Sequence, residues 1–178
     1  MYKYALLFLV LSFGITSCIK DTDFDQADEI ELSPVVELDF LFFTLDIDNF
    51  QENTGFEGTF TVVDTTEIRF LDGSFTQENL LSAEYFFRVT NSFPLGVDAN
   101  FNFLTEENEP FYEIDFLILP GTNNNPASTE FIQTITAEEI EQLTQTNKVV
   151  VTFTLETLDE NLSGVLNLQS KTTYFLKF

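Results

Sequence analysis

Hydrophobic and polar residues alternate along most of the chain from residue 34 to the end, which predicts an all-β protein. The clearest alternation is in residues 97–105 and 112–118, and the polar turn 106–110 between them predicts a β-hairpin. Residues 35–47 are apolar on both faces in the middle, which is typical of a central strand. Further strands are predicted at residues 60–63, 67–71, 83–89, 130–135, 148–158, 165–169 and 172–178.

One segment departs from the strand pattern and predicts a short helix. Thr136 and Glu139 have the spacing of a capping box, Ile135 and Ile140 form a hydrophobic staple, and Asn147 is a plausible end. About nine or ten short strands with turns between them, and one brief helix, predict an antiparallel two-sheet β-sandwich of immunoglobulin-like type. A closed β-barrel is the alternative that the same spacing allows.

The first 18 residues differ from the rest and end in the only cysteine, Cys18. Residues 5–15 form an apolar run that is shorter than the roughly 20 residues of a membrane-spanning helix and has the length of a signal-peptide core. The sequence ITSC that ends at Cys18 resembles the lipobox of bacterial lipoproteins. The resemblance implies that residues 1–17 are a signal peptide and that Cys18 is lipidated after cleavage.

Residues 18–32 are rich in acidic side chains and contain few apolar side chains that could pack into a core. This predicts an extended tether ahead of a folded domain at residues 33–178. Within the tether, Lys20, Asp21 and Asp23 resemble the export signal of Bacteroidota surface lipoproteins, a lysine followed by acids just after the lipidated cysteine. This resemblance implies an outer-membrane lipoprotein exposed at the cell surface. Retention on the periplasmic face of that membrane is the alternative.

The composition restricts the partners. The chain has 30 acidic and 7 basic residues, a formal net charge of −23. This charge repels phosphate backbones, which excludes nucleic acid, and it repels anionic head groups, so only the lipid is expected to enter the membrane. Because 44% of the residues are hydrophobic and 22 are phenylalanine, a packed core is still expected.

Two side chains that commonly perform catalysis, histidine and a free cysteine, are not expected in the mature protein. The sequence has no histidine, and its single cysteine is assigned to lipid, so a Ser-His-Asp triad and a thiol nucleophile are excluded. There is no Gly-x-Ser-x-Gly motif and no phosphate-binding glycine loop. Pairs of carboxylates remain, but among 30 acids such pairs arise by chance and are weak evidence for a glycosidase. We therefore expect no enzyme activity and no cofactor.

Two short motifs each allow a functional site or an ordinary turn. Asp46, Asp48 and Asn49 offer clustered oxygens that suit a calcium ion, or they form a solvated acidic turn. The sequence DTT at residues 64–66 resembles the O-glycosylation sequon of Bacteroidota, which would place a glycan on Thr65. An ordinary turn at a strand edge is the alternative.

These features predict a non-enzymatic interaction module or accessory subunit of an envelope assembly, with an envelope protein as its partner. The candidate contact patch consists of apolar residues off the inward faces of their strands: Phe86, Leu104, Leu117 and Leu119. The alternative is a carbohydrate-binding surface lipoprotein, although the absence of tryptophan counts against it. Its sugar platforms would be exposed phenylalanines or the tyrosines Tyr85, Tyr112 and Tyr174.

Overall fold

Nine strands form two antiparallel sheets in the part of the chain that the computed structural model describes, residues 32–52, 59–157 and 162–177. The strands are β1 (Val35–Asp46), β2 (Gln51–Glu52), β3 (Phe60–Glu67), β4 (Leu80–Asn91), β5 (Val97–Leu104), β6 (Pro110–Ile118), β7 (Ala127–Ile135), β8 (Lys148–Leu155) and β9 (Val165–Leu176). Two short helices, α1 (Ser74–Asn79) and α2 (Ile140–Leu143), and two 3-10 turns, Ile47–Asn49 and Arg69–Asp72, join them. Cys18, Lys20, Asp21 and Asp23 lie outside the described residues, so the signal peptide, the lipidation site and the tether stay predictions.

The strand order is that of a jelly roll. The front sheet has the order β1-β9-β4-β7, and the back sheet has the order β2-β3-β8-β5-β6. The predicted antiparallel two-sheet β-sandwich is therefore confirmed, and the closed barrel is wrong because both described sheets end in edge strands. The expected immunoglobulin-like order is also wrong: there the first strand lies beside the second, whereas here β1 pairs with β9.

β1 lies at an edge of the front sheet, although its apolar pattern predicts a central strand. Asp39 pairs with Lys171 and Phe42 pairs with Gln169, so β1 has one more residue than β9 between these two pairs. This extra residue is a β-bulge, and it shifts the inward-outward alternation of the strand by one position. The sequence therefore looks apolar on both faces when only one face is buried.

The bulge is held by a buried hydroxyl. The Ser170 hydroxyl accepts a hydrogen bond from the Leu41 N–H at 2.9 Å and donates one to the Leu41 carbonyl at 3.0 Å. As a result, Phe40 before the bulge and Phe43 after it both pack against the core. A strand of strict alternation would turn one of these two rings to solvent.

The core between the sheets is built from phenylalanine. Phe87 of β4 is fully buried, and the ring centroids of its aromatic neighbours among the described residues lie between 4.5 and 6.5 Å away. These neighbours are Phe40, Tyr85, Phe101, Phe116 and Phe131. Phe116 of β6 and Phe131 of β7 also stack on each other at 4.6 Å, which joins the edge strands of the two sheets.

Several elements differ in extent from the sequence prediction. The 97–118 hairpin is confirmed as β5 and β6, whereas the predicted turn at residues 64–66 lies inside β3 and residues 165–176 form one strand. α1 is not predicted by the sequence pattern, because it has no apolar periodicity and buries only Thr76.

The start of the predicted helix is present: the Glu139 carboxylate accepts hydrogen bonds from the Thr136 N–H and hydroxyl, both at 2.9 Å. These bonds lower the pKa of Glu139.

The two ends of the sandwich differ. The chain enters β1 beside the end of β9, where the Leu176 N–H donates to the Pro34 carbonyl at 3.0 Å, and α1 and α2 lie at this end. The β4–β5 and β6–β7 connections lie at the other end, which we call the loop end. No helix among the described residues has both the length and the apolar character needed to cross a membrane.

Candidate functional site

A shallow depression of about 480 Å³ lies on the outer face of the front sheet, over β1, β9 and β4. We call it the front-face depression. Two phenylalanines and six polar residues line it: Phe42, Phe86, Asp39, Glu84, Arg88, Gln169, Ser170 and Lys171. The lining thus combines two aromatic rings with charged and amide groups, which are residue types that contact ligands in binding sites.

The β-bulge of β1 creates this arrangement. Asp39 and Phe42 are three residues apart, so on a regular strand they would point to opposite faces. The extra residue between them places both on the outer face, where Asp39 lies across from Lys171 and Phe42 lies across from Gln169. The sequence shows only a run that is apolar on both faces, because a bulge is a feature of strand pairing and not of composition.

The two basic side chains of the depression already have partners. Arg88 Nε donates to Glu130 Oε1 at 2.9 Å, and its guanidinium lies 5.4 Å from the centroid of the Phe86 ring. Lys171 Nζ lies 2.6 Å from Glu37 Oε2. These exposed ion pairs contribute little to stability, but they neutralise the positive charge at the site.

Three polar side chains of the depression are not used by the protein itself. Within the described part of the chain, the side chains of Asp39, Glu84 and Gln169 take part in no hydrogen bond and no ion pair. Phe42 beside them is 57% exposed. The depression therefore offers an open aromatic surface together with hydrogen-bonding groups that have no other partner in this region.

The outer face of the back sheet is different in character. Its polar side chains are short and bond to one another: Asn102 Nδ2 donates to Asn100 Oδ1 at 2.6 Å, and Asn100 Nδ2 donates to Glu113 Oε1. Thr65 is exposed on this face, inside β3 and opposite Val150. The candidate glycosylation residue is thus accessible, but it lies in a paired strand and not in a turn.

The candidate calcium residues form a local cap. The Asp48 N–H donates to Asp46 Oδ1 at 3.1 Å, and the Asp46 N–H donates to Asn49 Oδ1 at 2.8 Å, which closes a capping box on the first 3-10 turn. In the described ranges, no group of three or more Asp, Glu, His or Cys side chains is placed to hold a metal ion. The geometry gives these residues a structural role, and calcium binding stays a prediction.

The predicted contact patch is not one surface. Phe86 faces outward on the front sheet, whereas Leu104 and Leu117 face outward on the back sheet and Leu119 follows β6 at the loop end. The predicted patch is therefore wrong as a contiguous site. The aromatic residue that the sequence reasoning missed is Phe42, which the bulge turns outward.

Two of the three tyrosines proposed as sugar platforms are also wrong. Tyr85 is 0% exposed and Tyr174 is 2% exposed, so neither reaches a ligand. Burial raises the pKa of both phenols, and that of Tyr85 rises well above its usual value. Tyr112 is half-buried, and its hydroxyl accepts a hydrogen bond from Gln133 Nε2 at 3.1 Å.

No family model and no curated protein matches the chain. Among solved structures, it is similar to a protein from Parabacteroides distasonis that is predicted to be secreted, with 20% identity and a TM-score of 0.46 over 65% of this chain and 38% of that chain. It is also similar to the infectious bursal disease virus Gx strain structure, with 12% identity and a TM-score of 0.49 over 80% and 32% of the chains. The enzymatically active domain of bacteriophage CBA120 tailspike protein 4 gives 11% identity and a TM-score of 0.39 over 78% and 19%. The chain spans less than two fifths of each of these proteins, and likeness at this level carries no information on function.

Proposed function

We propose that this protein is a lipid-anchored module of the outer membrane, exposed at the cell surface, that binds a partner through the front-face depression and catalyses no reaction. The observation that carries the binding role is the open Phe42 ring beside polar groups that have no partner in the described structure. The anchor is supported by the ITSC sequence at Cys18 and the surface location by Lys20, Asp21 and Asp23.

The acidic tether would separate the folded domain from the lipid anchor. Residues 18–32, fully extended, would reach about 50 Å, since each residue spans at most about 3.3–3.6 Å. With a net charge of −23, the protein is repelled by anionic head groups, so a long acidic tether keeps the domain away from them.

The sequence favours an envelope protein as the partner, and a carbohydrate is the second candidate. A protein interface needs a contiguous apolar centre. The four apolar residues proposed for that centre, Phe86, Leu104, Leu117 and Leu119, instead lie on separate surfaces. The mixed aromatic and polar lining of the front-face depression favours the carbohydrate.

We expect that Cys18→Ser abolishes lipid attachment, because serine has no thiol to accept the diacylglyceryl group. Cells grown with radiolabelled palmitate should yield a labelled wild-type protein and an unlabelled Cys18→Ser variant. Ser17→Ala, a small residue at the neighbouring lipobox position, is the control and should stay labelled. An unlabelled wild-type protein would refute the anchor.

We expect that replacing Lys20, Asp21 and Asp23 together with alanine keeps the lipid but removes the protein from the cell surface. Digestion of intact cells with proteinase K should degrade the wild-type protein and spare the triple variant, while both take up palmitate. Equal protection of the two proteins would instead place the wild type on the periplasmic face.

A further inference from the structure

We infer that the front-face depression binds a neutral carbohydrate, with a sugar ring lying against Phe42 and its hydroxyl groups bonded to Asp39, Glu84 and Gln169. This inference rests on the proposed binding role of the front sheet and names the ligand class. The depression has a volume of about 480 Å³ and is open to solvent, so a ligand would lie on the sheet surface and not inside a closed cavity.

The apolar part of the site is the Phe42 ring. A pyranose ring has a face of C–H groups that packs on an aromatic surface, while its hydroxyl groups project from the rim. Phe42 is 57% exposed, so burying its ring under a sugar removes apolar area from water. Phe86 is less suited to this contact, because the Arg88 guanidinium already lies over its ring.

The polar part of the site lies within reach of that ring. Gln169 is the direct cross-strand neighbour of Phe42, and such neighbours have Cβ atoms about 4.5–5.5 Å apart. Asp39 is on the same strand and the same face because of the bulge. Carboxylates accept hydrogen bonds, and the amide of Gln169 both donates and accepts, so the site can satisfy hydroxyl groups of either orientation.

Charge selects a neutral sugar over an anionic one. Arg88 and Lys171 are paired with Glu130 and Glu37, whereas Asp39 and Glu84 are carboxylates without an ion pair in the described structure. The local field is therefore negative, as is the protein as a whole. Sulfated or uronic acid polymers and phosphate groups are repelled.

The test is binding of the detergent-solubilised full-length lipoprotein to a panel of neutral polysaccharides: starch, xylan, mannan and mixed-linkage β-glucan. Polygalacturonate and heparin are the anionic comparators, and affinity electrophoresis and calorimetry are the readouts. We expect at least one neutral polymer to bind, no anionic polymer to bind, and Phe42→Ala to weaken the binding at least tenfold. Gln169→Ala should weaken it as well, without loss of the ring.

Leu117→Ala is the matched control, because Leu117 is 56% exposed and lies on the outer face of the back sheet. It should bind like the wild type, and circular dichroism should show that all variants are folded. No binding to any neutral polymer, or binding that Phe42→Ala leaves unchanged, would overturn the inference. If Phe42→Ala then lost an envelope protein that co-purifies with the wild type, the ligand class would be wrong while the binding role of the front face survived.

Discussion

Replacing Gly121 with alanine is expected to lower the free energy of unfolding by more than about 3 kcal/mol. A Cβ atom at this position would lie 2.0 Å from the Asn91 carbonyl oxygen and 2.5 Å from the Ala127 nitrogen. Both atoms belong to the backbone, so no side chain can rotate to make room. Chemical denaturation followed by circular dichroism measures the loss.

The backbone around Gly121 is held in place by hydrogen bonds of the buried Asn91 side chain. Asn91 Nδ2 donates to the Leu95 carbonyl at 3.0 Å and to the Leu119 carbonyl at 2.9 Å, and Asn91 Oδ1 accepts from the Phe93 N–H at 2.8 Å. These bonds join the β4–β5 and β6–β7 connections at the loop end. A Cβ at Gly121 therefore breaks this network or strains it.

Gly73→Ala is the control for this prediction. The nearest atom to its added Cβ is Thr76 Oγ1 at 3.7 Å, an ordinary contact, so its effect should stay within about 1 kcal/mol. If Gly121→Ala proved as mild as Gly73→Ala, the close packing of the two connections at the loop end would be wrong.

The sequence predicts where the strands of this protein lie along the chain better than it predicts which strands pair in the sheets. Alternation is a local property, and it identifies β5, β6 and their hairpin correctly. Strand order depends on pairs that are distant in the chain, such as Leu41 and Ser170, which are 129 residues apart. No local pattern specifies such a pair, so the jelly-roll order does not follow from the alternation of single strands.

The candidate site was missed for a related reason. The bulge that turns Phe42 outward exists only in the pairing of β1 with β9, whereas the run of apolar residues in β1 by itself predicts a central strand. Residue type alone suggests the tyrosines as sugar platforms, whereas Tyr85 and Tyr174 are buried in the core. The net charge and the absence of histidine are properties of composition, so they follow from the sequence without a structure.

Replacing Phe87 with alanine is expected to lower the free energy of unfolding by about 3–5 kcal/mol, the usual cost of deleting a buried phenylalanine ring. Phe87 is fully buried in the front sheet and contacts rings of the back sheet, with Phe101 at 4.5 Å and Phe116 at 5.4 Å. Its loss leaves a cavity between the sheets that rigid strands on both sides cannot fill. Urea denaturation with circular dichroism as the probe measures this change.

The contact between the sheets can be separated from simple burial by a double-mutant cycle of Phe87→Leu and Phe101→Leu. If the two rings interact across the core, the losses of the single variants should not add, and the coupling free energy should be about 0.5–1.5 kcal/mol. Phe87→Leu with Phe175→Ala is the control cycle, because Phe175 is exposed on the outer face of the front sheet, and it should be additive. Additive losses in the Phe87–Phe101 cycle would mean that the ring contact itself contributes nothing and that burial alone joins the two sheets.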